Sequence, residues 1–167
     1  MGTYARQTSV NSEKSRAEIE RTLIRYGASQ FMYGWDRNNA IIGFVINERQ
    51  LRFMLPLPDR DAQEFWRTPN NRRRRNREQA MDHWEQACRQ RWRALNLIIK
   101  AKLEAVESGI TTFDEEFLAH VMLPNKQTVG QFILPQVEQA YTTGKMPALL
   151  PMLPAPEEYI EEEPDAD

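Results

Sequence analysis

The stretch from Gln30 to Pro56, QFMYGWDRNNAIIGFVINERQLRFMLP, decides how this chain folds. Phe31, Tyr33 and Trp35 alternate with Gln30, Met32 and Gly34. Ile42, Phe44 and Ile46 repeat the pattern, and Leu51, Phe53 and Leu55 alternate with Arg52 and Met54. A period of two puts each set on one face of a strand. Asp36-Arg37-Asn38-Asn39 and Asn47-Glu48-Arg49 supply residues that tolerate turn geometry. Connections this short allow only antiparallel neighbours. Pro56 and Pro58 end the third strand, because proline cannot donate to a ladder. The stretch therefore predicts a three-stranded antiparallel β-meander.

Downstream, residues 59–76 read as a polar, mobile connection holding Trp66, Pro69 and the run Arg72-Arg73-Arg74-Arg75. From Arg77 to Ser108, Met81, Trp84, Cys88, Trp92, Leu95, Ile99, Leu103 and Val106 recur at spacings of three and four. That is the apolar stripe of a helix roughly 45–50 Å long. Gly109 ends it. Thr112 caps a helix running through Asp114, Glu115 and Glu116 toward Val121, with acids suited to the helix dipole. Another helix, about Val129 to Thr142, is expected to bury Phe132, Ile133 and Val137 and carries Pro135. Upstream, Ser12 to Tyr26 predicts a helix with Ile19, Leu23 and Tyr26 on one face. Ser15 and Glu18 stand at capping-box spacing, and Gly27 is a stop signal.

The fold class is thus α+β: an N-terminal helix, the meander, a long helix packed on it, and two shorter C-terminal helices. Residues 1–11 read as a flexible N-terminus, 12–150 as a single domain, and 151–167 as a proline-rich and then acidic tail. A meander leaves two open edges, so a homo-oligomer built by edge pairing or helix packing is expected.

Composition narrows the function. Of 167 residues, 41% are hydrophobic, enough for a core, and 28% are charged, as in soluble chains. No stretch approaches the ~20 apolar residues of a membrane span. MGTYARQTSVNSEKSR holds no apolar signal-peptide core, and the single cysteine, Cys88, excludes an internal disulfide; a cytoplasmic setting is expected. His83 and Cys88 are not at helical pairing distance. Glu116 and His120 are at i, i+4, but spacing marks no third ligand, so no metal site is assigned. Cys88 falls on the apolar stripe and reads as a core thiol. No nucleophile elbow, P-loop or dinucleotide fingerprint occurs, and no catalytic residue or cofactor is assigned. A metal-dependent nuclease using Asp59, Asp61, Glu116 and His120 stands as a minor reading, without the Glu-x-Lys strand such enzymes carry.

Charge is the better lead. The net charge of −2 hides 12 Lys/Arg against 5 Asp/Glu between Arg60 and Lys102, and 7 acids with no base between Glu157 and Asp167. Arg89, Arg93, Asn96 and Lys100 form a second stripe on the long helix, about 90° around from the apolar one. A mobile arginine loop beside a basic helix flank suits phosphates, because each neutralised contact releases a counterion. The expected nucleic-acid contacts are Arg72, Arg73, Arg74, Arg75, Arg77, Arg89, Arg93 and Lys100. Trp66 is expected to stack a base, and Tyr33 and Trp35 are further aromatics suited to it. The partner would be DNA or RNA. A different reading makes the chain an inhibitor or adaptor that contacts a host enzyme or defence system through the acidic tail or the proline-rich segment before it.

The strings SRAEIERTLIRYGA, LRFMLPLPDRD, WEQACRQRWRALNLIIKAKLEAVESGITTFDEEFLAH and TVGQFILPQVEQAYTTGKMPALLP resemble a family of uncharacterised small proteins carried by phages, prophages and some bacterial genomes. The resemblance spans most of residues 12–150. It implies a mobile-element setting, where small proteins handle DNA, regulate, or block host defences, and it supplies no catalytic residues. At the level of element order alone, three antiparallel strands followed by a long helix are similar to the core of single-strand annealing recombinases.

Overall fold

The computed structural model describes residues 3–36, 38–70 and 73–146. The expected tail lies outside them, as do Asn71 and Arg72. The chain forms two compact units, Met1–Gln131 and Phe132–Asp167.

In the first unit, α1 (Thr3–Arg25) precedes β1 (Gln30–Trp35), β2 (Asn39–Ile46) and β3 (Arg49–Pro56). The sheet has the order β1-β2-β3 and is antiparallel throughout, as the alternation requires. Helix α1 starts at Thr3, well upstream of the expected start at Ser12 and of the capping-box spacing at Ser15. Asp36 closes the first turn by accepting the Asn38 and Asn39 N–H groups at 2.8 and 2.7 Å. The second turn has only Asn47 and Glu48 between the paired Ile46 and Arg49. Both residues have positive φ, 49° and 61°, the signature of a type I′ hairpin turn that matches strand twist.

A short helix, α2 (Gln63–Trp66), leads to α3 (Arg77–Glu107). A capping box starts α3: Asn76 accepts the Gln79 N–H at 2.8 Å, and Gln79 accepts the Asn76 N–H at 3.2 Å. Gly109, at φ 74°, ends it in a Schellman arrangement. There the Ile110 N–H reaches the Ala105 carbonyl and the Gly109 N–H reaches that of Val106. Helix α4 (Phe113–Phe117) follows with its own capping box between Thr112 and Glu115 and runs into a 3-10 turn, Leu118–His120.

The core is the contact between the inner sheet face and α3. Trp92, Leu95, Ile99 and Leu103 meet Ile42, Phe44, Leu51 and Phe53, with Ile19 and Leu23 of α1 and Phe117 of α4 closing the sides. Tyr33 lies 5.6 Å from Trp92 between ring centres. Phe53 stacks on Phe44 at 6.0 Å and meets the edge of Phe117 at 6.3 Å. His120 stacks on Phe53 at 3.8 Å. Cys88 is a buried free thiol, pushed up to about 11 chiefly by burial and then by the Glu85 charge.

Two expectations about edges and ends change. β3 is not an open edge: Val121 bridges Leu51, and the Met122 N–H donates to the Gln50 carbonyl at 2.8 Å. Among the described residues only β1 keeps an unpaired side. In the second unit, α5 (Val129–Thr143, begun in the first) buries none of its residues, and Val137 is 38% exposed rather than buried. Pro135 sits inside α5 and removes one helical hydrogen bond there. No helix among the described residues is long and apolar enough to cross a membrane.

Two measurements check this packing. Glu48 occupies a left-handed conformation that costs an ordinary residue about 1 kcal/mol and glycine almost nothing. Glu48→Gly should therefore raise the thermal midpoint by about 2–4 °C. His120 is held below its ordinary value by burial first and the Lys102 charge second, while a backbone hydrogen bond at Arg52 works the other way. The unfolded histidine binds the proton more readily, so stability is full above about pH 6.5 and declines as pH falls through the lower folded value. Urea midpoints of wild type and His120→Gln between pH 5 and 8 should show a shallower decline in the variant.

Candidate nucleic-acid interface

The arginine-rich segment leaves the sheet at one end. Trp35 pairs with Ala40 and Ala40 with Leu55, so these residues form the last full row. From that end the chain continues through Pro58, whose carbonyl accepts the Trp84 indole N–H at 2.8 Å. This bond fastens the start of the arginine-rich segment to the first turns of α3.

The described residues of the segment, 59–70 and 73–76, are tied together by local hydrogen bonds. Asp59 accepts the Asp61 N–H at 3.0 Å and turns the chain into α2. Phe65 is buried and gives α2 an apolar anchor. The Trp66 indole donates to the Arg60 carbonyl at 3.1 Å. Arg60 lies 5.8 Å from the Trp84 ring centre and donates to the Met81 sulfur. Beyond α2 the chain doubles back as a small hairpin. Arg67 bridges Arg74, the Thr68 N–H donates to the Arg73 carbonyl at 3.0 Å, and the Arg75 N–H donates to that of Trp66 at 2.8 Å.

Arg75 turns inward. Its Nη1 donates to the carbonyls of Glu64, Phe65 and Arg67 at 2.8, 3.2 and 2.6 Å. These are carbonyls that a helix of four residues leaves without intrahelical partners. The guanidinium therefore locks the hairpin onto the C-terminal end of α2 and is committed to the fold.

The nine residues expected to meet nucleic acid thus divide. Arg72 lies outside the described residues. Arg73, Arg74, Arg77 and Arg93 are exposed, and none forms an ion pair among the described residues. Arg89 lies 3.9 Å from the buried Glu85 carboxylate. Lys100 is bound to Glu18 of α1, and Asn96 beside it is buried. Lys100 first, and Asn96 with it, hold the Glu18 carboxyl below its ordinary range. The second stripe of α3 is consequently in large part the face that receives α1, and only Arg93 of that stripe is exposed and unpaired among the described residues. Trp66 is half-buried with its N–H engaged, which limits stacking.

Arg67 was not among the expected contacts, and Trp35 was expected only as a further stacking aromatic. Arg67 is exposed and stands opposite Arg74, a pairing that depends on the hairpin register. Trp35 is 72% exposed, because it ends its strand where the sheet stops. Tyr33, by contrast, packs between Trp92 and the Arg16 guanidinium.

The residues of the nuclease reading are not brought together. Glu116 pairs with Lys102 at 2.8 Å, and His120 stacks on Phe53. No group of three or more His, Cys, Asp or Glu among the described residues is placed to hold a metal ion. Comparison with known proteins returns no matching family model, no matching curated protein and no matching solved structure.

Proposed function

We propose that the chain is a non-enzymatic nucleic-acid-binding accessory protein of a mobile element, acting in recombination or replication. One observation carries the reading. A hairpin locked by Arg75 holds Arg73 and Arg74 in solvent beside Arg77 at the start of α3, with no carboxylate paired to any of the three among the described residues. A backbone already held in place loses less freedom when its side chains meet a phosphate than a mobile one does. The arrangement offers phosphate contacts and no base-edge reader, so binding is indifferent to sequence. Trp35 adds an exposed indole at the same end, suited to stacking an unpaired base.

Fluorescence anisotropy with single-stranded and duplex DNA across a salt series tests this. Wild-type affinity should fall steeply with salt. Replacing Arg73, Arg74 and Arg77 together by glutamine should reduce the log–log slope by about two to three, near 0.7–0.9 per lost contact. Trp35→Ala should weaken single strands more than duplex. Absence of binding at low salt, both for the full chain and after removal of residues 151–167, rejects the reading.

A further inference from the structure

Helix α3 keeps one face that nothing described here covers. Ala94, Leu97, Ile98 and Ala101 recur at i, i+3, i+4 and i+7, on the side turned away from Trp92, Ile99 and Leu103. At 100° per residue, Leu103 lies about 180° around from Ala94, while Ala101 and Ile98 lie within about 40° of it. Leu97 is 60% exposed and Ile98 49%, and Ala94 and Ala101 are exposed as well. The solvent face of a helix in a globular protein is ordinarily polar. Here it is apolar for two turns.

The charges bordering this stripe identify its occupant. Arg91 and Arg93 stand on its N-terminal side, and Glu104 stands on its C-terminal side; all three are exposed. Reflected about the midpoint between Leu97 and Ile98, Ala94 falls on Ala101, and Glu104 falls two residues, about 3 Å along the axis, from Arg93 on the same flank of the stripe. A stripe with that symmetry is complementary to itself when turned end for end, as a two-fold interface requires. Parallel stacking would set arginine against arginine. Antiparallel stacking sets arginine against glutamate.

We infer that α3 pairs antiparallel with α3 of a second copy of this chain through Ala94, Leu97, Ile98 and Ala101. The alanines let the two axes approach closely, and Leu97 and Ile98 fill the crossing. A two-fold axis across the pair keeps each flank on its own side. Arg93 and Glu104 lie within about 20° of each other around the helix, so Arg93 of one copy meets Glu104 of the other. Two to three turns per copy place the contact at the small end of specific interfaces, with a dissociation constant on the order of micromolar.

Sedimentation velocity of the full chain without nucleic acid, from low micromolar to several hundred micromolar, tests the pairing. Wild type should pass from monomer to dimer. Leu97→Glu should remain monomeric with an unchanged circular dichroism spectrum. Arg93→Glu and Glu104→Arg should each weaken the dimer about tenfold, since each replaces an attraction by a repulsion in both symmetry-related pairs. The double exchange R93E/E104R should restore it to near wild type. A monomer at every concentration overturns the proposal and assigns the stripe to another occupant, the chain's own C-terminal segment or a different protein. A dimer indifferent to Leu97→Glu, or one that the double exchange fails to rescue, overturns it equally.

Discussion

The line Trp92–Leu95–Ile99–Leu103 against the inner face of the sheet is the contact on which the rest of the first unit depends. Each of these side chains contributes about 1.5–3 kcal/mol when fully buried. Together they fix the rotation of α3 about its own axis, and that rotation assigns every other face. One flank turns Asn96 and Lys100 toward α1. The other turns Lys102 toward Glu116 and the Phe117 ring of α4. What is left, centred on Ala94, Ala101 and their neighbours, is solvent-facing because all other directions are occupied.

The meander and the long helix were legible because their signals are periodic and local. Alternation names the strand face, spacings of three and four name the helix face, and Asn47-Glu48 between paired Ile46 and Arg49 sets the register. The fates of individual cations were not legible, for a physical reason. A lysine that meets solvent and a lysine that meets a carboxylate on another helix carry the same sequence signature. Lys100 and Asn96 read as a basic flank until Glu18 is brought against them from a segment far away in the chain. Arg75 and Arg74 are adjacent and chemically identical, yet one serves backbone carbonyls and the other is exposed. The difference comes from α2, a helix too short to announce itself by periodicity. β3 lost its open edge in the same way, to a Val121–Met122 segment that carries no strand pattern of its own.

The distribution of charge along α3 is unusual in another respect. A helix dipole favours cations near the C-terminal end by about 0.3–1 kcal/mol each, yet the last turn of α3 has no base, and Glu104 and Glu107 stand near it. Glu107 has a local use, since it accepts the Tyr26 hydroxyl at 2.6 Å and thereby raises that phenol above its ordinary range. Among the described residues the Glu104 side chain has no ion-pair partner, and its position against the dipole is offset if a cation from elsewhere reaches it.

Pairing through α3 also bears on the phosphate-binding end. Arg93 cannot serve a phosphate and a partner's Glu104 at once, so the dimer removes it from the nucleic-acid set. The loss is more than offset in number. Arg73, Arg74 and Arg77 lie outside the paired stripe, and a two-fold axis repeats them at both ends of an antiparallel pair. Two modest electrostatic contacts joined by a rigid helix pair act on one strand as a single divalent contact, with an effective concentration set by the spacing of the ends. If α3 pairs and the arginines meet a polyanion as proposed, each equilibrium would promote the other, and binding along a strand would be cooperative without any change in the fold of the monomer.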